Sequence, residues 1–192
     1  MRLIILGPPG AGKGTQAETI AREWQIPHVS TGDIFRDNIK RETDLGRQVK
    51  SILDSGGYVT DEITNEIVAD RLHQDDARRG FLLDGYPRTI AQVSALDEML
   101  AADDLAIDAV LELKVDDHEI VARLLKRAET SGRADDTEDV IRDRQEIYRR
   151  ETAPLSATYG ERGLLIEIDG VGSLDDVAAR IRTELEKIAA GS

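Results

Sequence analysis

The residues most suited to chemistry lie in one run, Gly7-Pro8-Pro9-Gly10-Ala11-Gly12-Lys13-Gly14-Thr15. It follows the apolar Leu3–Leu6 and precedes Ala17, Ile20, Ala21 and Trp24, which recur at helical spacing. A glycine-rich turn between a strand and a helix lets the backbone approach an anion closely. The N–H groups of Gly10, Ala11, Gly12, Lys13, Gly14 and Thr15 then form a nest at the positive helix end. Lys13 stands where it can reach the β- and γ-phosphates of a nucleotide. Glycine-rich strand-to-helix turns also occur without this role; the lysine at this spacing favours the phosphate reading. Phosphate loops of this kind usually carry Ser or Thr directly after the lysine as a Mg²⁺ ligand. Here Gly14 stands there and Thr15 comes one later, which speaks against a generic GTPase or motor ATPase.

Asp84 ends the apolar run Phe81-Leu82-Leu83, just before Gly85. An acidic group there could hold Mg²⁺ or its waters beside the loop, or simply close a strand. Arginine is the other resource: Arg36, Arg88, Arg123, Arg127, Arg133 and Arg144. Arg123 and Arg127 share a helix face, where like charges cost about 0.2–0.5 kcal/mol. They form either a solvated basic face or a polyphosphate cradle. Phosphoryl transfer needs positioning and charge neutralisation more than a strong base. His28, His73 and His118 fall in no catalytic motif and read as surface or structural residues.

Positioning these groups requires a sheet. Leu3–Leu6, His28–Ser30, Phe81–Asp84, Ala109–Val115 and Leu164–Ile168 are strand-like and alternate with helix-period segments. The pattern predicts an α/β fold, a five-stranded parallel sheet with helices on both faces. Thr60 is expected to cap one helix, Thr137 a long helix to about Tyr159, and Ser173 with Asp176 to form a capping box. Asp116 or Asp117 should open a helix reaching Arg127. Residues 30–59 and 128–136 fit poorly into the alternation and are either inserted mobile elements or surface excursions. The net charge of −13 disfavours nucleic acid and anionic membrane as partners. Without cysteine there is no disulfide and no thiolate site. No apolar run is long enough for a membrane helix, and the first residues read as a strand, not a leader, so a cytoplasmic location is expected.

The chain resembles the adenylate kinase family along essentially its whole length. The matching motifs are GPPGAGKGTQ at 7–16, STGDIFR at 30–36, GFLLDGYPRT at 80–89, GRADD at 132–136, RRETAPL at 149–155 and DGVGSLDDV at 169–177. The glycine after the lysine is itself typical of nucleoside monophosphate kinases. The resemblance implies a P-loop NTPase-type core of residues 1–29, 60–126 and 137–192, an AMP-binding segment at 30–59 and a short lid at 127–136. It implies AMP contacts from Thr31, Arg36, the backbone of Gly57, Tyr58 and Val59, and Gly85, Tyr86, Pro87 and Arg88. Gln92 would read the adenine edge. Arg127 and the backbone of Gly172 would serve ATP; Arg133 and Arg144 would meet AMP or the transferring phosphoryl. Arg123 would face phosphate. Lys13, Arg88, Arg123, Arg133 and Arg144 form the implied catalytic set, with Mg²⁺ reaching Asp84 through water and no structural zinc. The implied substrates are ATP, AMP and ADP, and the implied state is a monomer. A UMP/CMP-type kinase remains the nearest alternative, though Thr31 and Gln92 favour adenine. A nucleotide-binding regulatory module is a further one.

Overall fold

The computed structural model of the chain describes residues 1–131 and 137–191. Strands β1 (Arg2–Leu6), β2 (His28–Ser30), β3 (Phe81–Asp84), β4 (Ala109–Lys114) and β5 (Leu165–Asp169) form one sheet in the order β2-β3-β1-β4-β5. Every pairing is parallel; Ile4 lies opposite Leu83 and Val110, and Ser30 opposite Asp84. The strands read as nearly continuous apolar runs because both faces are covered. On one face Leu3, Ile5, Leu82 and Leu111 pack against α1 (Lys13–Trp24) and α9 (Leu174–Gly191) through Ala17, Ile20, Ile181 and Leu185. On the other, Ile4, Leu83 and Val110 meet Val68 of α4 (Asp61–Leu72), Val93 and Leu96 of α5 (Ile90–Ala101), and Leu155 and Tyr159 of α8 (Leu155–Glu161). This is the three-layer α/β fold that the alternating pattern predicts.

Between β2 and α4 the chain makes two helices and no strand, α2 (Thr31–Lys40) and α3 (Asp44–Asp54). They enclose a small core of their own, Phe35, Val49 and Val59 with Ile39, Leu45 and Leu53 around it. Gly46 permits their approach: a Cβ there would lie only 2.1 Å from the Asn38 carbonyl oxygen.

Two helix boundaries differ from expectation. Helix α6 (Asp117–Ser131) runs past Arg127, since its start is capped by Asp116, which accepts from the Glu119 amide at 2.9 Å, and no glycine or proline interrupts it before Gly132. The long helix expected from Thr137 to Tyr159 is instead α7 (Glu138–Ile147), a π-helical turn (Tyr148–Thr152) and α8. Pro154 has no N–H, and its ring would press on the carbonyl of Arg150 in a continuous α-helix. The chain widens before it, and Ala153 N–H bonds the Tyr148 carbonyl at 2.9 Å. The capping box at α9 forms as read: Ser173 Oγ accepts from the Asp176 amide and Asp176 from that of Ser173. Among the described residues no helix is long and apolar enough to cross a membrane.

Candidate active site

β1 lies between β3 and β4, which lead to opposite edges of the sheet. In open parallel sheets the crevice beyond the carboxyl ends of the strands at such a switch point is where ligands bind. β1 ends into Gly7, β2 into Thr31 and β3 at Asp84, so the phosphate-loop run, the start of α2 and the acidic residue converge there.

The loop turns through positive-φ glycines at 7, 10 and 12. At Gly10 a Cβ would come within 2.7 Å of the Leu124 side chain. The loop's carbonyls are taken by donors. Lys13 Nζ donates to Gly7 and Pro8, Gln145 to Pro9, and Arg123 to Ala11. The first amides of α1, which have no partner within the helix, remain to face an anion. Burial, opposed by Asp84 but reinforced by the nearby Arg88, Arg144 and Arg127, lowers the Lys13 ammonium to a pKa of about 8. An anion bound here would reverse that cost.

A cleft of about 450 Å³ opens over the loop. Gly10, Gly12, Lys13, Gly14 and Thr15 line it, as do Arg36, Asp84, Arg88, Arg123, Arg127 and Arg144. A smaller cleft adjoins it, lined by Thr31, Arg36, Gly57, Tyr58, Val59, Gly85, Arg88, Gln92 and Arg144. The arginines therefore converge from α2, the β3–α5 loop, α6 and α7. Burial pushes the Asp84 carboxyl up, but the hydrogen bond with His28 and the charges of Lys13, His28 and Arg88 hold it below the usual carboxylate range.

Several sequence-chosen residues are engaged with protein. Thr31 is buried and its hydroxyl donates to the Gly85 carbonyl at 2.9 Å, which leaves its lone pairs as acceptors. The Gln92 amide accepts from Arg88 N–H and donates to Asp61, both at 2.7 Å. Arg36 pairs with Asp33 at 2.6 Å and folds over Gly32, where a Cβ would meet it at 2.9 Å. Tyr86 is a core side chain whose hydroxyl donates to Asn65, and it lines neither cleft. Pro87 lines the larger cleft, whereas Ala11 is buried behind it. Arg123 is held by carbonyls at Ala11 and Gly170 and by Glu119. Gly172 lies outside both clefts, two residues beyond Gly170 in the loop that Arg123 ties to the phosphate loop. Arg133 lies outside the described residues.

Some cleft and loop contacts were not read from the sequence. His28, taken as surface or structural, lines the cleft with its Nε2 3.3 Å from Asp84. Tyr148 and Thr152 line it from the π-helical turn, and Gln145 reaches the phosphate loop from α7. The strand position of His28, two residues before Ser30, was the available signal: once β2 pairs beside β3, His28 shares the face of Asp84.

A cradle of amides and one lysine, faced by arginines, suits transfer of a phosphoryl group between bound anions. The chain is thus a P-loop phosphotransferase. A family model described as adenylate kinase matches residues 5–164. The adenylate kinase of Clavibacter michiganensis subsp. michiganensis is 60% identical over 184 residues, covering 96% of this chain and 92% of that protein. That of Leifsonia xyli subsp. xyli is 61% identical over 183 residues, 95% of this chain and 92% of its own. That of a Nocardioides species is 56% identical over 188 residues, 98% of both. The chain belongs to the adenylate kinase family.

Proposed function

We propose that the chain transfers the γ-phosphoryl of ATP to AMP, reversibly, giving two ADP. One observation carries the reading: two adjoining clefts, only one of them built on the phosphate loop, share Arg36, Tyr58, Gly85, Arg88 and Arg144 along their common wall. A donor triphosphate in the larger cleft and an acceptor monophosphate in the smaller would bring their phosphates together there.

In this reading residues 1–29, 60–126 and 137–192 are the core, residues 30–59 fold over AMP, and residues 127–136 are a short lid. The loop amides of Gly10, Gly12, Lys13, Gly14 and Thr15 and the Lys13 ammonium hold the ATP phosphates, with Arg127 beside them; the Ala11 amide is taken by the Pro8 carbonyl at 3.1 Å. Arg123 holds the phosphate loop to the 170–173 loop, where the backbone of Gly172 meets the ATP adenine. Arg36, Arg88 and Arg144 hold the AMP phosphate, and Arg88, Arg123, Arg133 and Arg144 with Lys13 neutralise the transferring group. An arginine in that role contributes about 10³–10⁵ in rate. The backbone of Gly57, Tyr58 and Val59, with Gly85, Tyr86 and Pro87, frames AMP. Thr31 can accept from an adenine amino group, and the remaining Gln92 N–H can donate to a ring nitrogen. Closure over both substrates excludes water, which would otherwise take the phosphoryl.

Mg²⁺ would arrive with ATP. The site suits it: Asp84 is a hard, ionised oxygen donor, and Gly14 leaves space opposite, where even a Cβ would stand 3.7 Å from Oδ2. Asp84 would then hold the ion through a water. When bound, Mg²⁺ supplies neutralisation of the β- and γ-phosphate charge.

The test is ADP formation from Mg-ATP with AMP, UMP, CMP or GMP offered separately, alongside Lys13→Ala. Turnover on AMP, lost in the variant, is expected. Preference for UMP or CMP would overturn the adenine reading, and tight ATP binding without turnover would favour a regulatory module.

A further inference from the structure

Thr152 closes the π-helical turn, is almost fully buried, and carries a hydroxyl with two partners. Its Oγ1 lies 2.9 Å from the Arg88 carbonyl and 2.8 Å from the Tyr58 hydroxyl. A carbonyl can only accept, so the threonine proton goes to Arg88 and the tyrosine must donate to the threonine. Tyr58 in turn lies under the Arg88 guanidinium, 4.7 Å from its ring centroid. The three residues form a closed triangle.

Each corner belongs to a different part of the molecule. Tyr58 lies where the chain returns from α3 to α4, within residues 30–59. Arg88 lies in the β3–α5 loop. Thr152 stands between α7 and α8. Arg88 is otherwise fixed by its amide on Gln92 and by Nε on the Gly85 carbonyl, both at 2.7 Å. Its carbonyl is the remaining main-chain handle, and Thr152 holds it. The π turn inserts one residue, which rotates Thr152 by roughly 100° relative to an uninterrupted α-helix.

We propose that Thr152 is a positioning residue for phosphoryl transfer, coupling the place of the 30–59 segment, through Tyr58, to the aim of the Arg88 guanidinium. This rests on the reading of Arg88 as an acceptor-side ligand. When residues 30–59 move, the Tyr58 ring moves under Arg88. The Thr152 hydroxyl allows the ring and the Arg88 main chain only positions in which both hydrogen bonds survive.

The test compares Thr152→Val, which keeps the shape and loses both hydrogen bonds, with Thr152→Ser, Tyr58→Phe and Arg88→Lys. KM for AMP, KM for ATP, kcat and Tm are measured for each. Thr152→Val should lower kcat/KM for AMP about tenfold while KM for ATP stays within about twofold. Serine should restore most of the loss, and Tyr58→Phe, which keeps the ring, should fall between. Equal losses for valine and serine, or equal effects on both substrates, would make Thr152 a packing residue and overturn the inference. An unchanged valine variant beside an AMP-defective Arg88→Lys would overturn it too, while the reading of Arg88 stood. If Arg88→Lys leaves the AMP constants unchanged, the reading of Arg88 fails and the inference with it.

Discussion

Nε2 of His28 lies 3.3 Å from Oδ2 of Asp84, across the β2–β3 pair and in the cleft over the phosphate loop. Asp84 is held ionised, so it accepts and the imidazole N–H donates. The bond engages Oδ2, the oxygen nearest Gly14, and so orients the carboxylate within the cleft. Replacing His28 with Leu should therefore raise the Mg²⁺ concentration for half-maximal velocity by about tenfold, and His28→Gln, which keeps a donor, by less. Titrating free Mg²⁺ at saturating nucleotide measures this. An unchanged midpoint in the leucine variant would show the contact to be incidental.

The Lys13 ammonium gives a pH signature with a defined sign. In the nucleotide-free protein its pKa is lowered to about 8 from an ordinary 10.5, chiefly by burial. Bound phosphate favours the charged form and must raise it. Between about pH 8 and 9, Mg-ATP binding should take up protons. Calorimetry in buffers of different ionisation enthalpy reads the number directly, and Lys13→Met should abolish the uptake.

The same shift affects stability. Between pH 8 and 10.5 the unfolded chain holds the Lys13 proton while the folded chain has released it. Stability from this group therefore rises with pH across that window, and its cost is fully present below it. Without nucleotide, Lys13→Met should melt higher than the parent near pH 7, with the difference shrinking towards pH 10. Saturating Mg-ATP should reverse the order. Thermal melts at the two pH values, with and without nucleotide, decide the matter.

These residues also mark how far the sequence reaches. The five strands and the phosphate loop are legible because a buried parallel strand and a glycine-lysine turn are written in contiguous residues. Arg88 can be named because it sits in the 80–89 motif, and Arg144 because the family resemblance implies it. The role of His28 cannot, since its partner lies 56 residues away and only the β2–β3 register joins them. Thr152 was inside a recognised motif, yet its reach to Tyr58 and Arg88 depends on a π turn. Helical periodicity predicts instead an unbroken helix from Thr137 to Tyr159. Pro154 was the clue, and it fixes that the helix breaks without fixing how. Gln92 and Thr31 show the converse: their chemistry was legible, but not the protein partners that already occupy much of it.

Gly46 tests the two-helix insertion. A Cβ at that position would overlap the Asn38 carbonyl at 2.1 Å, against main chain that cannot rotate aside. Gly46→Ala must separate α2 from α3, at a cost of about 1–3 kcal/mol. Because Arg36 rides on α2, the change should raise KM for AMP while KM for ATP holds. A drop in Tm without that split would mean that the helix pair is not the acceptor-side element.

Arg123 separates a loop-holding role from a purely electrostatic one. Its guanidinium joins the Ala11 carbonyl at 3.2 Å to the Gly170 carbonyl at 2.9 Å and is oriented by Glu119 at 2.8 Å. It therefore bridges the phosphate loop to the loop before α9. Arg123→Met keeps the stem and leaves both carbonyls without this donor; a lysine keeps the charge but has no planar fork with which to span them. Hydrogen bonds from a charged donor contribute about 1.5–3 kcal/mol each, so losing one in effect costs about tenfold or more. KM for ATP should rise by at least about that factor in Arg123→Met, with KM for AMP within about twofold. If Arg123→Lys restores ATP affinity fully, charge alone is what the site uses. If lysine fails as methionine does, the bridge between the two loops is the function of this side chain.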